Sequence, residues 1–144
     1  MKQFFVLLNL SIEPFSFALA SVEKILFEKK HSGNYTFTEN IIQEISMACR
    51  EHNLILSNCN GVAVINGPGS YTGTRIAVAT ANTLAQINQC PVLGFNSLDI
   101  IAESLQPLEH VFIAAIPSRK NEVTFSTFSG GNIEHRMSQD IACK

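Results

Sequence analysis

The sequence predicts an α/β fold, in which helices pack against a mixed β-sheet. One observation is the stretch 61–88, where a short buried strand passes through a glycine-rich turn into a long helix. The other is the order of the patterns along the chain. Apolar runs of strand length and helical periodicities follow one another as β-β-β-α-β-α-β-α-β-β.

The N-terminal part of the chain predicts three strands. Residues 4–10 form an apolar run, and Glu13-Pro14 supplies a turn into a second strand at 16–20. A third strand at 24–29 is expected to pair antiparallel with the second. These three strands form one side of the predicted sheet.

A helix is expected to start near Thr36. The tetrapeptide 36–39 matches a capping box with Thr36 as N-cap and Glu39 reaching back, although Thr38 is a rival cap. The periodicity then continues to about residue 52. One face of this helix carries the apolar residues Ile41, Ile42, Ile45, Ala48 and Cys49.

The turn after the strand at 61–65 has two interpretations. Backbone N–H groups at a helix N-terminus bind anions, so it could cradle a phosphate. However, the glycines follow the pattern G-x-G-x-x-x-G, one residue off the dinucleotide fingerprint, and no Lys-Ser/Thr pair makes a P-loop. A structural turn, with Ser70 or Thr72 capping the helix, is therefore favoured. The phosphate-binding candidates are Gly67, Gly69, Ser70, Thr72 and Gly73.

The helix predicted at 72–88 has a narrow polar stripe that contains Arg75, and most of its other residues are apolar or small. A row of small residues at spacing four predicts the close approach of a second helix, from this chain or from another. Arg75 is either solvated or a partner contact, and Tyr71 is either a core residue or an interface anchor. The small row consists of Gly73, Ala77, Ala81 and Ala85.

The rest of the chain predicts a strand at 91–95 and a helix that Ser97 caps and that ends before Pro107. Two further strands at 111–116 and 122–128 are expected to form a hairpin. Gly130-Gly131 predicts a turn, and residues 132–144 carry no pattern that assigns an element.

Composition excludes several classes of protein. A net charge of −2 argues against a basic surface that grips nucleic acid. Four cysteines without a C-x-x-C pair argue against a zinc ribbon and favour reduced thiols in the cytoplasm. The apolar run at the start is interrupted at Asn9 and Ser11, so a signal peptide is the less favoured interpretation, and no run reaches the roughly 18 residues that span a membrane.

Catalytic chemistry finds little support in the residue pattern. The four histidines lie far apart, and Ser70 follows Pro-Gly instead of standing in G-x-S-x-G. Asp99 and Asp140 are the only aspartates. We therefore expect no catalytic residue, no metal site and no cofactor.

The stretch GPGSYTGTRIA at 67–77, after a buried strand and at the start of an alanine-rich helix, resembles the bacterial TsaB family, also called YeaZ or glycoprotease-like. The resemblance implies an actin-like, sugar-kinase-like fold (the ASKHA, ribonuclease H-like type) with two lobes. Residues 1–98 would form the N-terminal lobe. Residues 99–144, with the hairpin at 111–128, would form part of a second lobe, which is expected to be incomplete because family members are longer.

The same resemblance implies a non-catalytic subunit of the complex that makes N6-threonylcarbamoyladenosine in tRNA. Its partners would be a TsaD-like catalytic paralogue and a TsaE-like ATPase, with tRNA contacted only indirectly and no membrane. The helices at 38–51 and 72–88 would form the interface, or would pair in a homodimer when the partner is missing. The expected interface residues are Ile41, Ile45, Ala48, Tyr71, Arg75, Ala77, Ala81 and Ala85.

The sequence also departs from the family pattern. Asn9-Leu10 stand where the family has an Asp-Thr pair at the end of its first strand, and Phe37 stands where it has a histidine. The family's Asp-Ala-Arg reads Pro117-Ser118-Arg119. The rival hypotheses are a small actin-like ATP-dependent enzyme or metallopeptidase, and a diverged remnant that only dimerises.

Overall fold

The computed structural model describes residues 3–33, 36–105, 111–117 and 122–128, together with the backbone of 138–142. They form two sheets with helices between and beside the strands. The strands are β1 (Phe5–Asn9), β2 (Phe15–Ala20), β3 (Ile25–His31), β4 (Gly61–Ile65), β5 (Val92–Phe95), β6 (Phe112–Pro117), β7 (Glu122–Phe128) and β8 (Ser138–Ala142). The helices are α1 (Thr36–Glu39), α2 (Ile41–Glu51), α3 (Tyr71–Asn88) and α4 (Ser97–Ser104).

The larger sheet is mixed, as the sequence predicts. Its strand order is β3-β2-β1-β4-β5, in which β1 pairs antiparallel with β2 and parallel with β4, and β4 pairs parallel with β5. The antiparallel half is made of consecutive hairpins. The parallel half requires crossovers, which α2 and α3 provide. The smaller sheet, β6-β7-β8, is antiparallel throughout.

The two faces of the larger sheet have different neighbours. Residues opposite each other on paired strands lie on the same face, so the register defines two sets of side chains. The covered face carries the buried residues Val6, Leu8, Phe17, Leu19, Val62 and Val64, which pack against α1, α2 and α3. We call the other side the open face, and its side chains are those of Phe5, Leu7, Asn9, Ser16, Ala18, Ala20, Ile25, Glu28, Lys30, Ala63, Ile65, Leu93 and Phe95.

The chain has two apolar clusters. The larger one lies between the covered face and the three helices α1 to α3. The smaller one joins α4 to the second sheet through Leu98, Ala102, Ala114, Ile116 and Phe128. The division of the chain into lobes at residue 98 stays a prediction.

Several predicted boundaries move. The strand β3 begins at Ile25 and extends to His31, and the predicted first helix is divided at Asn40, whose φ of −100° and ψ of 12° lie outside regular helix values. Thr36 is already helical and is therefore not the flanking N-cap. At α4 the cap is Asn96, whose Oδ1 accepts from the Leu98 N–H, and Ser97 is the first helical residue.

The strand β8 lies within residues 132–144, where no sequence pattern assigns an element. The predicted turn at Gly130-Gly131, the helix stop at Pro107 and Arg119 lie outside the described residues. No helix in the described part of the chain is long and apolar enough to cross a bilayer.

Candidate functional site

The glycine-rich turn lies at the carboxyl end of β4 and leads directly into α3. Ser70 caps this helix, since its Oγ accepts from the Gly73 N–H at 3.2 Å. Gly67 has a φ of +96°, which a residue with a side chain rarely adopts. The Gly67 carbonyl accepts from the Ser97 N–H, and the Pro68 carbonyl accepts from the Ser97 hydroxyl. The turn is therefore tied to the start of α4.

Ser11 holds the turn from the other side. Its side chain is 2% exposed, its Oγ donates to the Ile65 carbonyl at 2.7 Å, and it accepts from Thr74 Oγ1 at 3.0 Å. The Ser11 carbonyl accepts from the Ser70 N–H at 2.7 Å. One buried serine thus connects the segment after β1 with the end of β4 and the first turn of α3.

Two of the glycines are required by this close packing. A Cβ on Gly69 would overlap the Ser11 carbonyl oxygen, and a Cβ on Gly73 would overlap the Leu10 carbonyl oxygen. The backbone carbonyls of Ser11 and Leu10 therefore pack directly against the turn.

Two of the phosphate-binding candidates have backbone N–H groups that are bonded within the fold. The N–H groups of Ser70 and Gly73 are already bonded to Ser11 and to the Ser70 hydroxyl, and an amide with a partner in the protein has no second proton for a phosphate. Gly67 is buried beside Thr74, while Thr72 is exposed. The turn therefore positions α3, and the N–H groups of Ser70 and Gly73 have their partners within the chain.

Asn9 organises the turn that follows β1. Its Oδ1 accepts from the N–H groups of Ser11 and Ile12, and its Nδ2 donates to the carbonyls of Ile12 and Pro14. An amide can donate and accept in this way, whereas an ionised aspartate only accepts. Asn9 therefore stabilises the turn between β1 and β2 and supplies no carboxylate for a metal.

A cleft of about 530 Å³ opens beside the turn, between the two sheets. Its lining includes Ser11, Ser70 and Glu13 on one side and Ile101 and Ile116 on the other. Among the residues that the structure describes, no three His, Cys, Asp or Glu side chains are grouped in a way that could hold a metal ion. The cleft has space for a ligand, but its walls are mainly apolar.

Six of the eight expected interface residues lie in the core of the chain itself. Their side chains are at most 7% exposed, and they pack against the covered face of the sheet. As side chains of this fold they do not form an outer surface. The six are Ile41, Ile45, Ala48, Ala77, Ala81 and Ala85.

The small-residue row of α3 is buried within the chain. Gly73 lies against the Leu10 backbone, and Ala77 and Ala81 are completely buried in the larger cluster. Small residues let α3 approach β4, its main neighbour, and α3 also contacts β1 and the helix α1. The close approach that the pattern predicts is therefore made mainly to the sheet of the same chain.

Tyr71 and Arg75 are the two expected interface residues that reach the surface. The Tyr71 side chain is 70% exposed, and the Arg75 guanidinium lies 4.4 Å from the centre of its ring. A cation over an aromatic face at this distance is attracted by the ring quadrupole. The pair therefore presents a preformed aromatic and cationic patch near the start of α3.

Sequence reasoning missed Ser11 and the role of Asn9. The available signal was their position at and just after the end of β1. Parallel strands have their carboxyl ends at the same edge of a sheet, so polar residues there lie close to the turn after β4. The sequence does not show that β1 pairs with β4, so it does not place Ser11 beside Ser70.

Comparison with known proteins gives a consistent set of relatives. The family described as TsaD, tRNA N6-adenosine threonylcarbamoyltransferase, matches residues 29–138. The TsaB protein of Haemophilus influenzae, named for threonylcarbamoyladenosine biosynthesis in tRNA, is 35% identical over 63% of this chain and 39% of its own length. Further TsaB proteins also match. The chain thus spans about two fifths of the Haemophilus relative.

Solved structures agree on the fold. YeaZ from Pseudomonas aeruginosa superposes with a TM-score of 0.77 at 24% identity, over 98% of this chain and 67% of its own. A predicted N-acetylglucosamine kinase from Porphyromonas gingivalis gives 0.51 at 15% identity, over 94% of this chain and 47% of its own. The expected actin-like, sugar-kinase-like fold is confirmed.

Proposed function

Because the chain belongs to the TsaD family and is a TsaB/YeaZ-like member of it, we propose that it takes part in making N6-threonylcarbamoyladenosine in tRNA, as a non-catalytic subunit. In this proposal it binds and supports a TsaD-like catalytic paralogue in the cytoplasm. A TsaE-like ATPase supplies ATP hydrolysis, and tRNA is held by the other subunits.

The observation that carries the non-catalytic role is the filled glycine turn. An actin-like enzyme needs donors for phosphate and a carboxylate for the metal at the ends of its first strands. Here Ser11 bonds the Ser70 N–H, and Asn9 is occupied by four hydrogen bonds to the backbone around it. This arrangement favours a binding subunit over the ATP-dependent or peptidase alternatives.

The helix layer supplies the surface for the partner. We define the helix-layer surface as the exposed side chains of Ile42 and Met47 on α2 and of Tyr71, Arg75 and Ile87 on α3. Tyrosine and arginine dominate the binding energy of many interfaces because each combines a large contact area with directed polar groups. The same surface offers a second copy of the chain an alternative partner.

Co-purification with a TsaD-like protein tests the proposal. Ala81 is buried, so an arginine there would disrupt the core, and the informative changes are Tyr71→Asp and Arg75→Glu. We expect each to weaken binding at least about tenfold while the melting temperature stays close to that of the wild type. Val22→Asp, at a side chain 79% exposed in the turn between β2 and β3, is the matched control.

If the wild type and both helix variants bind the TsaD-like protein equally well, the interface lies elsewhere on the chain. Complementation of a strain depleted of TsaB tests the role itself. Growth rescued by the wild type, and lost in Tyr71→Asp but retained in Val22→Asp, is the expected result. No rescue, with clear micromolar binding of ATP and Mg²⁺, would favour the enzyme alternative.

A further inference from the structure

Three of the four cysteines belong to the larger apolar cluster or pack against it. Cys49 and Cys59 are buried in the cluster, and Cys90 is half-buried at its margin. All three carry free thiols. Cys143 lies outside the described residues. The proposed function uses none of these thiols.

Cys59 and Cys90 stand at the two ends of the unit formed by β4, the glycine turn and α3. Cys59 lies two residues before Gly61, where β4 begins, and Cys90 lies two residues after Asn88, where α3 ends. The strands β4 and β5 are parallel, so α3 must return the chain to the edge of the sheet at which β4 begins. The two cysteines are therefore at the same edge.

The pairing of β4 with β5 sets the distance between the two backbones at this edge. The Val62 N–H donates to the Pro91 carbonyl at 3.0 Å, and a Cβ on Gly61 would lie 3.5 Å from the same oxygen. Paired strands are about 4.8 Å apart, and the Cα atoms of disulfide-bonded cysteines are roughly 4.4 to 6.8 Å apart. Cysteines just before two paired strands are therefore within reach of one disulfide.

The side chains of the two cysteines also meet. The Cys59 and Cys90 thiols are hydrogen-bond partners, and the Cys59 thiol in addition donates to the Gly61 carbonyl at 3.1 Å. Cys59 is 4% exposed, so a reagent in solution reaches the pair through Cys90.

We propose that Cys59 and Cys90 are a thiol–disulfide site, which a low-molecular-weight disulfide such as oxidised glutathione converts reversibly into an intrachain disulfide. The bond would close a loop of about 30 residues around β4 and α3, and closing such a loop stabilises a fold by restricting the unfolded chain. The inference does not depend on the proposed TsaD-like partner.

The reaction consists of two thiol–disulfide exchanges. Burial raises the pKa of the Cys59 thiol, so the accessible Cys90 reacts first. The Cys90 thiolate attacks one sulfur of oxidised glutathione, whose S–S bond breaks, and one glutathione leaves with the proton that Cys90 released. The Cys59 sulfur then loses its proton and attacks the Cys90 sulfur, and the second glutathione leaves with that proton. Two cysteine thiols are oxidised, and one glutathione disulfide is reduced to two thiols.

Incubation of the reduced 144-residue chain with excess oxidised glutathione tests this inference. We expect the intact mass to fall by two hydrogen atoms and peptide mapping to link Cys59 to Cys90. The melting temperature should rise by at least about 4 °C, and dithiothreitol should reverse both changes.

Single cysteine variants separate the two exchanges. Cys59→Ala should stop at one glutathione attached to Cys90, and Cys90→Ser should form no link to residue 59. Cys143→Ser is the matched control and should cross-link like the wild type. Circular dichroism of the reduced proteins checks that each variant is folded.

Three results would overturn the inference. One is the absence of a link in the wild type, and another is a link between any other two cysteines, such as Cys49 and Cys59. The third is a cross-link that lowers the melting temperature, because the disulfide would then form in an opened chain and not between thiols that meet in the fold.

Discussion

Gly73 shows how a backbone contact can reverse the effect of a common substitution. In an ordinary helix position, replacing glycine with alanine stabilises a protein by about 1 kcal/mol, because alanine has the higher helix propensity. At Gly73 the added Cβ would overlap the Leu10 carbonyl oxygen, which belongs to the backbone and cannot move like a side chain.

We expect Gly73→Ala to lower the free energy of unfolding by about 1 to 3 kcal/mol, the usual cost of overpacking. Urea denaturation measures the change. The exposed Ala79→Gly in the same helix is the control and should lose about 1 kcal/mol from propensity alone. An increase in the stability of Gly73→Ala would contradict the close packing of α3 against β1.

Cys49 links stability to pH. Burial, and secondarily the neighbouring Cys59 thiol, raises the pKa of Cys49 from 9.0 to about 11. Between these values the unfolded chain has released the thiol proton while the folded chain still holds it, so the free energy of unfolding falls as pH rises. The full effect is about 2 to 3 kcal/mol.

Denaturation at pH 8, 9.5 and 11 should therefore show a steeper loss of stability for the wild type than for Cys49→Ala. The pKa of Cys59 is also raised, mainly by burial, so Cys49→Ala should keep part of the slope. Identical slopes for the two proteins would show that the Cys49 thiol ionises as readily in the folded state as in the unfolded state.

At the scale of elements, Ser11 joins β4 and α3 to the segment that leaves β1. Ser11→Ala removes the bonds to Ile65 and Thr74 and leaves a buried carbonyl without this donor. We expect a loss of about 1 to 3 kcal/mol of stability in thermal or urea unfolding.

Ser104→Ala is the matched control. Its hydroxyl also donates to a carbonyl, that of Ile101, but Ser104 is exposed. Water replaces an exposed hydrogen bond, so this change should cost less than about 0.5 kcal/mol. A similar loss in both variants would mean that Ser11 does not connect the elements as described.

At the scale of the whole molecule, the two apolar clusters differ greatly in size. The cluster under α1 to α3 contains most of the buried side chains, whereas the cluster of α4 and the second sheet contains five. Since local stability follows the buried apolar contacts, the second sheet should open at a lower free energy than the first.

Hydrogen exchange measures this difference. Amides of β6 and β7 should exchange faster than those of β1 and β4, and Leu98→Ala, at the centre of the smaller cluster, should accelerate β6 and β7 while leaving β1 and β4 nearly unchanged. Equal acceleration of all four strands would show that the two clusters unfold as one cooperative unit.

Local patterns in the sequence determined most of the elements. The order of most strands and helices, and the position of the glycine turn between β4 and α3, follow from periodicity and from the backbone preferences of glycine, proline and serine, while the sequence left the cap of α3 open between Ser70 and Thr72. These signals act within a few residues, so they are visible in the sequence. The strand β8 was not predicted because SQDIA carries only two apolar residues, Ile141 and Ala142.

The tertiary structure decided which partner each face meets. Periodicity shows that Ala77 and Ala81 share a face with small neighbours, but it does not show that β1 and β4 lie against that face. The contact of Ser11 with the turn depends on the pairing of β1 with β4, which brings Ser11 to Ile65, 54 residues further along the chain. The sequence by itself therefore determined the fold class and the turn. Only the structure showed that Ser11 packs against the turn and that six expected interface residues lie in the core, because these contacts depend on long-range pairing.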